Sequence, residues 1–494
     1  MNRFLFVAFT LVGCFSLEAN IPRDINEIYR APNRQENINT VCEFDSIVEA
    51  TIKNLCVPGI QIGLIVDGEI IISRGYGHRN LAEKKPMTED TIVGIGSSSK
   101  SFTAYVLWQL VKEGKISWDD PVKKYVPEFC LSDPNSTQKM TILDLVAHRT
   151  GIFRHDALWY FSDKSKLSPL DGLKLLPFLD FDNKPGEKFQ YNNFMYSVLG
   201  LIIERVTGTT YAEAVSARVL KPLGMVHSGF SHGTSNYSLP YASIEGTIRE
   251  IPFQETPAIS VGGGIHSTAS DMLKWVDLHL KKGIGMGELY TVQMPFASSS
   301  EDIVRNLGYG LGWFVGEYRG LQYIHHGGLV DGFSAHVAFL PQKNIGLVIL
   351  TNSSTDGLMA INFLQQAIFD KILGLNIKHS LPERRSVPSE DKNTIVDLNR
   401  PLEDYVGDYI HPAYGLIQIR MSDGQMTLFY AQKPIPLTPS GDNLFTAKIS
   451  ELQKFGVSPW IEILFSTNSD ERISEMQVPF EAFRLGKPIT FTRK

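Results

Sequence analysis

Two periodicities alternate along this chain, and their order predicts a mixed architecture. Residues 43–55 place apolar side chains every three or four positions, the repeat of one helix face. Residues 61–66 and 69–73 are apolar-rich runs around Asp67-Gly68, a two-residue hairpin signal. Helical spacing returns at residues 105–114, 140–148, 196–206, 211–220 and 269–281, the first ending at Gly114 as helices often do. Residues 321–326, 334–340 and 345–350 then read as an antiparallel meander, the first strand ending at Gly327-Gly328, and a helix over 358–373 closes the unit. Residues 132–137 read as a polar loop. Residues 151–180 are irregular, and their aromatics (Phe153, Trp159, Tyr160, Phe161) are expected to pack in the core or loops rather than border a pocket.

Composition shifts at residues 376–400, a polar, charged, proline-containing stretch with the profile of a linker. Beyond it, short alternating strands such as 416–420 and 426–430 predict a small all-β domain over 401–494, a sandwich or a barrel. The fold class expected is therefore α/β (α+β): an antiparallel sheet flanked by helices plus a helical lobe in residues 20–375, followed by the β-domain. At 494 residues two domains are the natural division. No internal repeat of fixed period is present.

The first 19 residues are set apart. Arg3 precedes an apolar run over 4–15 that is too short to span a bilayer and suits a signal peptide cleaved after Ala19. Leu11-Val12-Gly13-Cys14 also matches a lipoprotein cleavage box, which would leave Cys14 lipidated. A secreted or periplasmic location is expected, with secretion preferred to lipidation, and no later stretch reads as a transmembrane helix. The formal net charge of −6 provides no basic field for nucleic acid. After cleavage Cys42, Cys56 and Cys130 remain, an odd number. Cys42 and Cys56 lie about 20 Å apart along one helix, too far for a disulfide, so all three are read as structural thiols. No His, Cys and carboxylate cluster has metal-ligand spacing, so neither metal nor other cofactor is expected.

Candidate chemistry centres on residues 94–104. Ser97 and Lys100 stand three apart at the start of a helix, so they share a face. A serine hydroxyl needs a base, and a lysine serves as one when burial and the helix dipole lower its pKa. First-turn N–H groups without helical partners can receive an oxyanion. Ser-x-x-Lys also occurs at Ser136–Lys139 and Ser389–Lys392, but only Ser97 has glycines before it and an apolar helix after it. Tyr191 and Asn193 lie on a turn at the entrance of the next helix, and His326 precedes Gly328.

Ser97-x-x-Lys100, Tyr191-x-Asn193 and His326-x-Gly328, in that order, resemble the three active-site motifs of the penicillin-binding-protein and serine β-lactamase superfamily, in its class C-like branch. His325-x-Gly327 also fits the third motif, and Gly332-Phe333 downstream favours His326. Residues 115–122, His148-Arg149-Thr150-Gly151, Gly262-Gly263-Gly264 and Ser267-Thr268-Ala269 look family-like as well. The resemblance covers about residues 45–370. It implies that Ser97 forms an acyl-enzyme, that Lys100 shares its proton and that Tyr191 is general base. It further implies that Asn193 holds the substrate or Lys100, and that the N–H groups of Ser97 and Leu329 form the oxyanion hole beside Gly328. Histidine replaces the family's lysine in the third motif, which implies an esterase or D-amino-acid peptidase ahead of a β-lactamase. The expected partner is a small-molecule or peptide substrate; the oligomeric state stays open.

Two rival readings remain. Gly229-Phe230-Ser231-His232-Gly233 fits the Gly-x-Ser-x-Gly elbow of an α/β-hydrolase, with Asp271 or Asp331 and His326 or His336 downstream, but that motif requires a strand before it and a helix after it. The same fold can also serve as a non-catalytic peptidoglycan binder or sensor.

Overall fold

The computed structural model describes residues 34–160, 166–253, 255–296, 303–375, 377–384, 398–422, 424–431, 433–449, 459–480 and 487–494. The expected signal peptide, Ser389 and much of the expected linker lie outside these residues.

The Asp67-Gly68 turn starts the main sheet. Both residues have positive φ (53° and 83°), as a two-residue hairpin turn that matches strand twist requires. They join Gly59–Val66 to Glu69–Asn80. Gly59–Val66 also pairs antiparallel with Ile345–Thr351, so strands nearly 280 positions apart in sequence are neighbours in mid-sheet. Among the described residues nine strands line up in the order Lys85–Pro86, Glu69–Asn80, Gly59–Val66, Ile345–Thr351, Phe333–Leu340, Leu321–Val330, Phe314–Tyr318, Val304–Tyr309, Met294–Pro295.

Helices cover both faces, which is why Gly59–Val66 is buried along its whole length. Ile60, Ile62 and Leu64 pack with the helices Arg34–Leu55 and Thr355–Ile372. The alternate positions face Ala269–Lys282: a Cβ on Gly63 would stand 2.8 Å from Leu273 Cγ. Phe102 of the helix Ser99–Lys112 stacks on Trp275 (4.1 Å, 14°), which anchors that helix under the sheet. The helical lobe is built on Asn193–Thr207, with Trp159 fully buried and stacked on Phe194 (4.5 Å). The structure thus makes Trp159 a core residue; the side chain of Tyr160 and all of Phe161 lie outside the description.

Several elements differ from expectation. The strand from Leu321 continues through Gly327-Gly328 to Val330, because both glycines pair in register with His336 and Ala335. The expected loop at 132–137 contains the short helix Pro134–Lys139, capped by Asp133, whose carboxylate accepts from Ser136 N. Residues 151–180 hold the short helices Asp156–Tyr160 and Pro169–Gly172 and a 3-10 segment Leu173–Phe178. Free Cys56 and Cys130 are exposed.

The C-terminal unit is a closed antiparallel barrel. Its strands are Gly407–His411, Gly415–Ser422, Gln425–Tyr430, Lys433–Gly441, Leu444–Lys448, Trp460–Thr467, Ile473–Val478 and Ile489–Arg493, and the first pairs with the last through Tyr409 and Arg493. Closure removes the exposed edges of an open sheet. Tyr409, Ile417, Ile419, Phe445, Phe465 and Phe491 fill its interior.

Candidate active site

Ser97 lies in a 3-10 turn, Gly96–Ser98, that runs straight into the helix Ser99–Lys112. Gly96 enters the turn at φ 50°, with Leu329 N only 2.7 Å from where its Cβ would be. From the opposite side, a Cβ on Gly328 would stand 1.9 Å from Ile95 O and 3.2 Å from Ser97 N. The Ser98 hydroxyl donates to His326 O at 3.1 Å. The serine turn and the strand Leu321–Val330 therefore touch through backbone, with the Leu329 amide against Gly96, next to the half-buried Ser97.

Lys100 is completely buried. Its Nζ lies 3.2 Å from Ser97 Oγ, 2.7 Å from Asn193 Oδ1 and 2.8 Å from Gly262 O. Burial, reinforced by the charge of Arg154 and opposed by Asp156, pushes its pKa well below the ordinary lysine value. Asn193 Oδ1 and the Gly262 carbonyl can only accept from Nζ, whereas the Ser97 hydroxyl can also donate, so of the three neighbours it is the one able to pass a proton to the amine. A Cβ on Gly262 would reach within 2.9 Å of Nζ, so the glycine at this position leaves the amine its room.

Asn193 reaches Lys100 because its neighbour does the capping. The side chain of Asn192, not Asn193, accepts from Met195 N at 3.2 Å, the usual N-cap arrangement. This frees Asn193, whose Nδ2 donates to Asp156 Oδ1 at 2.9 Å. Asp156 pairs with Arg154, both nearly buried. The half-buried Tyr191 ring stands 4.8 Å from Lys100 Nζ and 5.0 Å from Arg154 Cζ, measured to the ring centroid. His148 lies against it at 4.2 Å and accepts from Asn192 N through Nδ1 at 3.1 Å. Burial above all pushes the His148 pKa well below the ordinary histidine value.

His326 faces this cluster and His325 the opposite side, as alternation along a strand demands. His325 Nε2 bonds Asn306 Oδ1 at 2.8 Å. His326 is 1% exposed, with Nδ1 2.7 Å from Gly327 O and Nε2 3.0 Å from the Tyr309 hydroxyl. That places the proton on Nδ1, with Nε2 accepting from Tyr309. Burial and the Lys100 charge, against the Gly327 carbonyl, push its pKa down to about 3. His326 is a neutral imidazole with both nitrogens engaged.

The structure thus brings Ser97, Lys100, Tyr191 and Asn193 together, with His326, Gly328 and Leu329 on the strand that forms the adjoining wall. Sequence reasoning missed Arg154, Asp156, Tyr309 and the Gly262 carbonyl. Arg154 and Asp156 sit in the irregular 151–180 stretch with no local pattern to mark them. Ser231 is exposed on a bend between loops, without the strand and helix its motif requires. Its proposed partners are committed elsewhere: Asp271 accepts from His227 N and Ser228 Oγ, and His336 bonds the Tyr323 hydroxyl. The α/β-hydrolase arrangement is absent from these residues. Among the described residues no group of three or more His, Cys, Asp or Glu is arranged to hold a metal ion, and no helix is long and apolar enough to cross a membrane.

A family model described as Beta-lactamase matches residues 44–368, and one described as a domain of unknown function (DUF3471) matches residues 394–493. The chain is 26% identical over 439 residues to the "Unguisins hydrolase ungD'" of Aspergillus campestris, covering 80% of each protein. It is 28% identical over 322 residues to "Protein flp" of Staphylococcus aureus (strain COL), covering 64% of this chain and 63% of that protein. The solved octameric penicillin-binding protein homologue from Pyrococcus abyssi is similar over 92% of this chain and 100% of its own, at 25% identity and a TM-score of 0.61.

Proposed function

Since the chain belongs to the β-lactamase family, whose model spans residues 44–368, we propose that it is a serine hydrolase cleaving an ester or amide through an acyl-serine intermediate, on a substrate with no carboxylate beside the scissile bond. The observation that carries this reading is the buried Lys100 amine, 3.2 Å from Ser97 Oγ and held by two further acceptors. The likeness to a hydrolase over 80% of each protein supports it.

The chemistry balances on these residues. Ser97 Oγ attacks the carbonyl carbon while its proton ends on the Lys100 amine, directly or through the Tyr191 phenol, which gives up its own proton as it takes the serine's. The oxyanion sits between the amides of Ser97 and Leu329, each such donor being worth about 10²–10³ in rate. Collapse breaks the bond to the alcohol or amine, which takes the proton. Water, deprotonated by the same groups, then releases the acid and restores the Ser97 hydroxyl. General-base assistance of this kind is worth about 10²–10⁴-fold.

Neutral His326 supports the substrate class. With both nitrogens engaged and a pKa of about 3, it offers no fixed cation to a substrate carboxylate. A hydrolysis panel of short-chain esters, D-Ala-D-Ala peptides and a chromogenic cephalosporin tests this, beside fluorophosphonate labelling. Ester turnover with label on Ser97 is expected. Label on Ser231, no label at all, or preferred turnover of the carboxylate-bearing cephalosporin or D-Ala-D-Ala peptide would each overturn it.

A further inference from the structure

Beside the catalytic cluster, His155 makes a buried hydrogen bond to the C-terminal barrel. His155 Nδ1 lies 2.9 Å from the hydroxyl of Tyr414, on the turn between the first two barrel strands. His155 is 8% exposed and Tyr414 1%. Its two chain neighbours, Arg154 and Asp156, form the ion pair that faces Tyr191 and carries Asn193. From Asp156 the route is short: 2.9 Å to Asn193 and 2.7 Å from Asn193 to Lys100.

Backbone conformation makes His155 a sensitive position. Its φ is 48°, in the left-handed region that side-chain-bearing residues leave unless their surroundings hold them there. That twist sends the imidazole toward the barrel while its neighbours turn to each other and to the site. On the barrel side Tyr414 is held at several points. The Tyr414 ring stacks parallel on Phe480 (5.7 Å, 2°), its N–H donates to His411 Nδ1 at 3.2 Å, and its carbonyl accepts from the Tyr430 hydroxyl at 3.2 Å.

We propose that Tyr414 is a positioning residue for the active site: through its hydrogen bond to His155, the barrel fixes the Arg154–Asp156 pair and so the Asn193–Lys100 geometry that activates Ser97. The inference rests on the acyl-serine reading above. It gives the barrel a part in the reaction that a mere appendage would not have. Small displacements of a reacting group cost up to about 10²-fold in rate, so the loss of one tether should be visible in kinetics.

The test uses the full-length chain and the rate of Ser97 labelling by a fluorophosphonate, with kcat and KM on a short-chain ester. Tyr414→Phe keeps the stacked ring and removes the hydroxyl. It should slow labelling and kcat on the order of ten-fold while KM stays within about two-fold. Tyr409→Phe is the control, since it removes a comparable buried bond inside the barrel, to Tyr405 O at 2.9 Å; it should leave the rate unchanged. His155→Asn retains a polar group near the Nδ1 position and tolerates the left-handed backbone, so it should keep most of the rate that His155→Leu loses. This pair decides the matter if Tyr414→Phe does not fold. In an Asp156→Asn background, Tyr414→Phe should add less than about two-fold, because the two act on one path. Equal labelling of Tyr414→Phe and wild type, or equal losses in Tyr414→Phe and Tyr409→Phe, would overturn the positioning role alone. An unlabelled wild type would overturn the hydrolase reading itself.

Discussion

At the scale of single residues, the site depends on a lysine that the fold holds out of water. Its ammonium form has lost hydration, and the nearby Arg154 disfavours it further, as the proposed transfer of the Ser97 proton to the amine requires. The base works only unprotonated, so acylation should rise with pH through the lowered Lys100 pKa and fall below it. His326 adds no limb of its own between pH 5 and 9, being neutral above its pKa of about 3. Replacement His326→Asn should therefore leave the midpoint of the acid limb where it is; a shift of a full pH unit would show that His326 titrates with the site. Ser97→Ala should abolish turnover and labelling with the melting temperature kept within a few degrees, and residual wild-type activity would remove the nucleophile assignment. Tyr191→Phe should slow acylation and deacylation by about 10²-fold or more, measured by pre-steady-state and steady-state ester hydrolysis.

Elements meet at the site through backbone, which makes some glycines structural requirements. At Gly328 a methyl group would meet the Ile95 carbonyl at 1.9 Å, and neither partner is a flexible side chain that can swing away. At Gly327 the first atom met is 3.8 Å away. Gly328→Ala should therefore cost about 1–3 kcal/mol and at least ten-fold in ester hydrolysis, while Gly327→Ala should be near neutral in both. Urea denaturation and kinetics on the pair check this. Similar losses in both variants would mean that the serine turn and the strand are not locked as described. The same contact explains why the strand runs on past two glycines that on paper look like a stop: it needs close approach there and keeps its ladder.

Across the whole molecule, the described contacts between the barrel and the catalytic unit include a shared buried apolar cluster, a buried tyrosine–histidine bond and surface charges, and these differ in weight. Lys487 pairs with Asp182 at 3.3 Å, but its side chain is 71% exposed. Such pairs contribute about 0–1 kcal/mol, so Lys487→Ala should change unfolding free energy by less than about 0.5 kcal/mol; a loss above 1 kcal/mol in urea denaturation would show that the rim charges hold the units together.

Local chemistry was readable from the sequence. Asp67-Gly68 dictates its turn because only residues tolerant of positive φ close a two-residue hairpin. The apolar periods place the helices and the meander, and the order of Ser97, Lys100, Tyr191, Asn193 and His326 marks the site. What distant segments contribute was not readable. Asp156 matters because the fold sets it against Asn193. Asn193 reaches Lys100 because Asn192 satisfies the helix end. Tyr414 meets His155 across 259 positions of chain. Residue order determines which groups are available and what local backbone they adopt. Only packing decides which are stripped of water and brought within bonding distance, and here that lowers the pKa of an otherwise ordinary lysine beside Ser97.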